Sequence, residues 1–163
     1  MKKILLISDT HGYIDEKIIK YANKVDEIWH AGDIGDISVS DKLKKIKPLR
    51  GVFGNIDDQK IRTEFPLHNR FICEKVNVWI THIGGYPKRY NPKILEELKS
   101  NPPDLFICGH SHILKVINDK KLGLLHINPG AIGKHGLHRV RTMIQFEING
   151  KKIENLSVIE FER

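Results

Sequence analysis

The segment from Lys3 to Ser8 is almost continuously apolar, with Ile4-Leu5-Leu6-Ile7 at its centre. Strands with one face in water alternate apolar and polar side chains, whereas an unbroken run is typical of a strand covered on both faces. Two further strand patterns follow at about residues 26–30 and 49–53. Apolar residues recur at helical spacing in both connections between these three strands. The first connection contains Ile14, Ile18, Tyr21, Ala22 and Val25, and the second contains Val39, Leu43 and Ile46. This βαβαβ order predicts a parallel sheet with right-handed crossovers.

The second half of the chain adds strands of a different kind. Strand patterns at 69–76, 77–81 and 104–108 surround a helix that we expect Asn91 to cap and Pro92 to start. After residue 112 the pattern becomes all β, with segments 113–117 and 122–127 around a turn at Asn118-Asp119 and a hairpin signal at Asn149-Gly150. We therefore predict an α/β fold with two sheets, parallel-rich first and antiparallel later, in a single domain of residues 1–163.

The composition is that of an ordinary globular protein, with 40% hydrophobic and 29% charged residues. No apolar stretch is long enough for a membrane helix, and the apolar run after Met1 is too short for a signal peptide. We therefore expect a cytoplasmic protein with no membrane partner. Cys73 and Cys108 have no metal-type spacing and are interpreted as small buried residues in strands.

The net charge of +7 raises the question of nucleic-acid binding. The lysines, however, are scattered and form no run longer than two, as is typical of a solvated surface. We therefore disfavour nucleic acid as a partner, although the positive charge favours anionic substrates in general.

Side chains of metal-binding type lie at or just after the ends of short apolar runs. There are seven of them: Asp9, His11, Asp33, Asn55, His82, His110 and His112. Residues two apart in an extended segment project to the same side, so we expect Asp9 and His11 to reach one metal together. The same geometry is expected at His110 and His112. Gly12 and Gly109 should let the backbone turn tightly beside these pairs.

The other three residues each end a strand pattern, at the edge where α/β sheets generally bind ligands. Asp33 has two carboxylate oxygens and can therefore bridge two ions, while Asn55 offers a neutral oxygen that suits an ion such as Mn2+. His82 closes the strand pattern at residues 78–81. Paired divalent metals of this kind hydrolyse phosphate esters, so the set predicts two-metal phosphoester chemistry.

The motifs that contain these residues resemble those of the calcineurin-like metallophosphoesterases, and most of all the small single-domain prokaryotic phosphodiesterases of that superfamily. They occur in family order as Asp9-Thr10-His11-Gly12, His30-Ala31-Gly32-Asp33, Gly54-Asn55-Ile56-Asp57, Thr81-His82, Gly109-His110-Ser111-His112 and Asn128-Pro129-Gly130. The resemblance implies a four-layer α-β-β-α sandwich of two mixed sheets, in agreement with the two sheets predicted above.

The resemblance also implies how two metal ions are held. It assigns Asp9, His11 and His112 to the first ion and Asn55, His82 and His110 to the second, with Asp33 bridging the two. Two ions about 3.5–4 Å apart would share a hydroxide for in-line attack on phosphorus. The family favours Mn2+, with Ni2+, Zn2+, Fe2+ or Mg2+ as alternatives, and activity should fall in acid because histidine ligands must be neutral. We name Asp33, Asn55 and His110 as candidate catalytic residues; relatives often form dimers, so a homodimer is a further expectation.

The chain departs from the family pattern at Ile56. Many superfamily members carry a histidine directly after the asparagine, where it protonates the leaving oxygen, and isoleucine has no proton to donate. A general acid contributes about 10²–10⁴-fold, so we expect small phosphodiesters, cyclic nucleotides or activated aryl esters to be better substrates than alkyl monoesters. A second departure, Ala131 in place of the usual serine, puts little in doubt.

Several nearby residues are weaker candidates. His30 can hydrogen-bond a ligand carboxylate or simply pack at a strand end, and Asp57 can orient a histidine ligand or cap the following turn. The segment 84–90 can hold a phosphate and a base, although we slightly favour a solvated connection. His135 and His138 are weak candidates for a replacement proton donor, and a surface role is favoured for each.

Two other functions stay open. A nuclease is suggested by the positive charge and by nucleases elsewhere in the superfamily, but we expect no second domain that could grip a strand. A non-catalytic scaffold on the same fold is suggested by superfamily members whose metal site has decayed. Intact ligands at all seven positions argue against a scaffold here.

Overall fold

The computed structural model describes all 163 residues. In chain order the elements are β1 (Lys2–Ile7), α1 (Glu16–Ala22), β2 (Glu27–His30), α2 (Ile37–Ile46), β3 (Leu49–Gly51), α3 (Gln59–Glu64), β4 (His68–Cys73), β5 (Val76–Thr81), β6 (Gly85–Tyr86), β7 (Arg89–Tyr90), α4 (Pro92–Ser100), β8 (Leu105–Ile107), β9 (Lys115–Asp119), β10 (Leu124–Asn128), β11 (Val140–Asn149) and β12 (Lys152–Glu162).

Ten of the strands form two five-stranded mixed sheets. The first sheet has the order β12-β11-β1-β2-β3, and β1, β2 and β3 are parallel, as the βαβαβ pattern predicts. The second sheet has the order β4-β5-β8-β10-β9, with β5, β8 and β10 parallel. The carboxyl ends of three neighbouring parallel strands therefore meet at one edge of each sheet.

Three apolar cores separate the layers. Residues of both sheets, among them Leu6, Trp29, Val78 and Ile107, pack against each other in the core between the sheets. A second core covers the outer face of the first sheet with helices α1, α2 and α3, and a third packs α4 on the outer face of the second sheet. This is the four-layer α-β-β-α sandwich of two mixed sheets, and the predicted fold class is confirmed.

Helix starts are defined by side chains that accept otherwise unpaired main-chain N–H groups. Asp15 accepts from Ile18 at 3.0 Å at the start of α1. Asn91 accepts from the N–H of Lys93 at 3.0 Å, and Pro92 is the first residue of α4, as predicted. None of the four helices combines the length and hydropathy that crossing a bilayer requires.

Some sequence predictions about the elements are wrong. Helix α3 was not predicted, because it is short and buries only Ile61, so it carries no periodic signal. Asn118 and Asp119 belong to β9, and the turn lies at residues 120–123. Strand β10 after residue 112 pairs parallel with β8, although its other neighbour β9 is antiparallel as expected.

Two smaller predictions are confirmed only in part. The first hairpin of the second sheet turns at residues 74–75, where Glu74 has a φ of 54°, so Val76 belongs to β5. Both cysteines are unpaired and buried as predicted, but Cys108 lies just after β8 and donates its thiol to the carbonyl of Gly85.

The core between the sheets provides a test of the packing. Ile144 of β11 is fully buried there, so Ile144→Ala should lower the free energy of unfolding by about 2–5 kcal/mol, since it deletes methyl groups and leaves a cavity. Ile72→Ala is the matched control, because Ile72 is 68% exposed on β4. Urea denaturation of both variants would contradict the packing if the two losses were equal.

Candidate metal centre

All seven predicted ligands lie in loops that follow strands. Asp9 and His11 follow β1, Asp33 follows β2, Asn55 follows β3, His82 follows β5, and His110 and His112 follow β8. Six of them form two clusters whose ligand atoms lie within 4.8 Å of one another, namely Asp9, His11 and His112, and Asp33, His82 and His110. Each cluster draws residues from both sheets.

In the first cluster, Oδ1 of Asp9 lies 3.1 Å from Nε2 of His112 and 3.8 Å from Nε2 of His11. The other carboxylate oxygen of Asp9 accepts hydrogen bonds from the Ser8 hydroxyl at 2.5 Å and from the His110 N–H at 3.2 Å. These bonds fix the carboxylate so that Oδ1 points at the two imidazoles.

In the second cluster, Oδ2 of Asp33 lies 3.2 Å from Nε2 of His82. Asn55 joins this cluster through its side-chain oxygen, which lies 3.1 Å from Nδ1 of His110. Asn55 and His110 are exposed, whereas Asp33 and His82 are buried. The second cluster is therefore the more exposed side of the centre, since His11 and His112 of the first cluster are only partly exposed.

Asp33 connects the two clusters through one oxygen atom. Its Oδ2 also lies 3.4 Å from Nε2 of His11, a residue of the first cluster. Its Oδ1 accepts the N–H of Ile56 at 3.1 Å and is not directed at the histidines. The expectation that Asp33 would use two oxygens is thus replaced by a single oxygen between the clusters.

The backbone of these loops differs from the extended geometry predicted for the paired ligands. Positive φ angles between 45° and 71° occur at Asp9, His11, Asp33, His110 and His112. Such a left-handed backbone is uncommon for residues other than glycine and clusters at functional sites. As a result, His110 and His112 do not reach one cluster together but point into different ones.

The glycines beside the ligands have two roles. Some let neighbouring loops approach closely, and others let the backbone turn. A Cβ on Gly54 would collide with the main chain and carboxylate of Asp33, and one on Gly109 would collide with the Ser8 hydroxyl. Gly12 has a φ of 79° and an open surrounding, so its role is the turn that was predicted. Gly109, by contrast, brings the loop after β8 against the loop after β1.

The donor atoms fit divalent metal ions. Oδ1 of Asp9 and the Nε2 atoms of His11 and His82 are buried. Although Oδ1 of Asp9 lies 3.1 Å from His112 and Nε2 of His82 lies 3.2 Å from Asp33, none of the three atoms forms a hydrogen bond of acceptable angle. Buried polar atoms in proteins are nearly always paired, so three that converge on one point require an explanation. Carboxylate and imidazole donors suit Mn2+, Zn2+ or Fe2+, and no thiolate is among them.

The charge states of the clusters also favour cations. Burial by itself would raise the pKa of Asp9 and Asp33, but the adjacent imidazoles outweigh it and lower both values, so both carboxylates are ionised. Burial would lower the pKa of His82, but these carboxylates raise it, so a proton and a metal ion compete for the same imidazole nitrogen. Nδ1 of His82 lies 2.7 Å from the carbonyl of Ala31 and donates to it, which directs Nε2 toward Asp33.

His30 forms no hydrogen bond to a ligand carboxylate. Its Nδ1 accepts the N–H of Gly32 at 3.1 Å, and its Nε2 donates to the Thr10 hydroxyl at 3.0 Å, which in turn donates to the carbonyl of Ile34. Burial lowers the pKa of His30 to about 4. His30 is thus a buried neutral residue that ties the loop after β1 to the loop after β2.

Asp57 forms no hydrogen bond to His82 or His110. Its carboxylate accepts three main-chain N–H groups, from Ile34 at 3.1 Å, Gly35 at 2.8 Å and Gly54 at 2.7 Å. It therefore holds the loop that carries Asn55 against the loop that carries Asp33. The cap of the following helix is Asp58, which accepts from Ile61 at 3.1 Å.

Of the weaker candidates, the two histidines lie beside the centre and the segment 84–90 lies away from it. The His135 ring lies 4.7 Å from the His11 ring, and the His138 ring lies 5.2 Å from the His112 ring, so both border the first cluster. The segment 84–90 forms the small hairpin β6–β7, and Lys88 and Tyr90 line a separate cavity with residues of β9. That segment is not part of the centre.

Two supporting residues were missed by the sequence analysis. Ser8 orients Asp9, and the guanidinium of Arg62 donates to the main-chain carbonyl of Asn55 at 3.1 Å. Arg62 lies on helix α3, which was not predicted, so no sequence pattern indicated that it lies near Asn55. Ser8 was visible only as the end of the first strand pattern.

The α-β-β-α sandwich and the two carboxylate–imidazole clusters agree with the resemblance that the sequence motifs carry. Residues 1–151 match the calcineurin-like phosphoesterase superfamily domain. The chain belongs to this superfamily, as the motifs of its sequence predicted.

Two relatives support the same assignment. A probable metallophosphoesterase of Methanocaldococcus jannaschii is 31% identical over 134 residues, which are 77% of this chain and 66% of that protein. The chain thus spans just under two thirds of that relative's length. A probable metallophosphoesterase of Mycoplasma pneumoniae is 31% identical over 140 residues, which are 81% of this chain and 80% of that protein.

Solved structures share the fold over nearly the whole chain. An archaeal phosphodiesterase has a TM-score of 0.75 and 23% identity, with 96% of this chain and 99% of that chain covered. Vps29 of Chaetomium thermophilum has a TM-score of 0.77 and 19% identity, with 99% and 97% covered. Vps29 of Entamoeba histolytica complexed with Zn2+ has a TM-score of 0.74 and 16% identity, with 98% of each chain covered.

The three hydrogen bonds to Asp57 can be tested by substitution. Asp57→Ala leaves three main-chain donors without a partner in a buried loop, so it should lower the free energy of unfolding by at least about 2 kcal/mol. Asp58→Ala, which removes one helix cap, should cost about 1 kcal/mol. Equal losses in urea denaturation would contradict the role assigned to Asp57.

Proposed function

We propose that this protein is a metal-dependent phosphodiesterase that acts on small phosphodiesters. The observation that carries the proposal is the position of Oδ2 of Asp33, 3.4 Å from Nε2 of His11 and 3.2 Å from Nε2 of His82. One carboxylate oxygen near nitrogen donors of both clusters is in a position that two adjacent ions can share. Membership of the calcineurin-like phosphoesterase superfamily supports the same chemistry.

In this proposal each ion has its own protein ligands. Asp9, His11 and His112 hold the first ion, Asn55, His82 and His110 hold the second, and Asp33 serves both. Mn2+ is the preferred ion because the set combines hard oxygen donors with imidazoles, and Zn2+ is the main alternative because it is bound by a protein of the same fold.

Two such ions, when bound, supply a water of lowered pKa and positive charge against the phosphate oxygens. The residues of the chain do the rest. Ser8 and the His110 N–H hold the Asp9 carboxylate in place, and the Ala31 carbonyl holds the His82 ring. Because Asn55 and His110 are the most exposed of the seven residues, a phosphate group approaches from their side of the centre.

Ile56 limits which esters react well. Its side chain is 48% exposed beside Asn55 and has no proton to donate, while its N–H is already bonded to Asp33. A leaving group that needs no protonation is therefore favoured.

This limit predicts an order of substrates for the Mn2+-loaded protein. Bis(4-nitrophenyl) phosphate should be hydrolysed at least about 100-fold faster, in kcat/KM, than an alkyl monoester such as glycerol 2-phosphate, because alkoxide leaving groups need a general acid. The assay follows 4-nitrophenolate release and inorganic phosphate release in parallel. Faster cleavage of the alkyl monoester would argue against the proposed role of Ile56.

The position of Asp33 gives a second prediction. Asp33→Asn should reduce hydrolysis by at least about 1000-fold and weaken binding of both Mn2+ ions, because one residue serves both ions. Calorimetric titration with Mn2+ measures binding, and Asp41→Asn, an exposed change on α2, is the control. Asn55→Ala should weaken only one ion and recover activity at higher Mn2+; full activity of Asp33→Asn would refute the assignment.

A scaffold is the second candidate function, because Vps29, a vacuolar protein sorting protein, has the same fold. A nuclease is the third, because the chain carries a net charge of +7. Binding of two ions without cleavage of any phosphoester would favour the scaffold. Cleavage of single-stranded DNA without cleavage of small diesters would favour the nuclease.

A further inference from the structure

A cavity of about 400 Å³ adjoins the second cluster, and Asn55 and His82 form part of its wall. Two of the proposed ligands therefore line this space, so a phosphate held at the centre would extend its ester substituent into it. The volume lies within the roughly 300–1,000 Å³ of small-molecule sites. The opposite wall comes from the start of α4, including Asn91 and Lys93.

The charge of this cavity is positive. Its lining contains Arg62, Lys93 and His68 and no aspartate or glutamate. Burial lowers the pKa of His68, so at neutral pH the charge comes from Arg62 and Lys93. A cavity with two permanent cations and no acidic side chain favours an anionic group.

Arg62 is held in position before any ligand arrives. Its Nε donates to the carbonyl of Asp57 at 2.7 Å, its Nη2 donates to the carbonyl of Asn55 at 3.1 Å, and its guanidinium lies 4.6 Å from the centre of the Phe53 ring. A fixed guanidinium loses little side-chain entropy when it binds an anion. The bond to the main-chain carbonyl of Asn55 also places this cation next to a residue proposed to hold the second metal ion.

The remaining wall is apolar and partly exposed. Leu67 is 52% exposed and Ile83 is 41% exposed, and both line the cavity. Exposed apolar side chains at the mouth of a charged cavity suit a ligand with a carbon framework between its charged groups. A bare inorganic anion would leave these side chains in water.

We infer that this cavity selects phosphodiesters whose ester group carries a second anionic group, which Arg62 and Lys93 bind while the scissile phosphate lies at Asn55 and His110. This inference rests on the proposed function, since it names the substrate class of the same site. A nucleoside with phosphates on two of its oxygens has this chemistry.

The binding part is tested with thymidine 3′,5′-bisphosphate against thymidine 5′-monophosphate, by calorimetric titration of the 163-residue protein in the same MnCl2 buffer. The bisphosphate should bind about tenfold or more tightly, because its second phosphate forms charge-assisted hydrogen bonds. Lys93→Gln and Arg62→Gln should each reduce this preference about threefold or more. Lys60→Gln is the control, since Lys60 is an exposed residue of α3 outside the cavity lining.

Lys93 is exposed, so Lys93→Gln removes the charge without disturbing the fold, whereas Arg62 also supports Asn55. Equal affinity for the two nucleotides, or an unchanged preference in Lys93→Gln, would overturn the inference.

The catalytic part is read separately with the 4-nitrophenyl ester of thymidine 5′-phosphate, with and without a 3′-phosphate. A higher kcat/KM for the 3′-phosphorylated ester, lost in Lys93→Gln, supports the inference. Equal kcat/KM values contradict it and leave the proposed function intact. Hydrolysis of neither ester would refute the proposed function and the inference together, whereas equal hydrolysis of both would refute the inference alone.

Discussion

The two five-stranded sheets pack face to face through side chains such as Leu6, Trp29, Val78 and Ile107, and the candidate centre depends on this contact. The loops after β1, β2 and β3 carry the carboxylates and Asn55, whereas the loops after β5 and β8 carry three of the four histidines. Neither sheet alone contains a complete cluster. The buried apolar residues therefore have an indirect chemical role, because they determine the spacing between acidic and imidazole donors.

Local backbone conformation does the finer positioning. Five of the seven residues have positive φ angles, and each such residue costs roughly 1–3 kcal/mol relative to a relaxed backbone. The loops keep this conformation because other groups hold them, as Asp57 does with three main-chain N–H groups and His30 does through Thr10. The free-energy cost of the left-handed backbone at the ligands is thus offset by buried polar residues that form no hydrogen bond to a ligand side chain.

Much of the fold could be predicted from the sequence, because unbroken apolar runs such as Ile4-Leu5-Leu6-Ile7 have few other interpretations than buried strands. It could also be predicted that the ligands lie close together, since the carboxyl ends of parallel strands lie at the same edge of a sheet. The division of His110 and His112 between two clusters followed only from the family resemblance, because it depends on left-handed backbone that spacing does not reveal. Helix α3 and Arg62 were missed, since a helix with one buried residue leaves no periodic pattern.

The hydrogen bond from the His110 N–H to Asp9 joins residues 101 positions apart in the sequence. A contact of such long range forms late in folding, because the loop that it closes costs entropy that earlier packing must offset. Neither cluster is complete before residue 110 has been made and β8 has docked beside β5. During synthesis, therefore, the nascent chain carries its first carboxylates and histidines as separate groups, and the two clusters assemble only when the second sheet closes on the first.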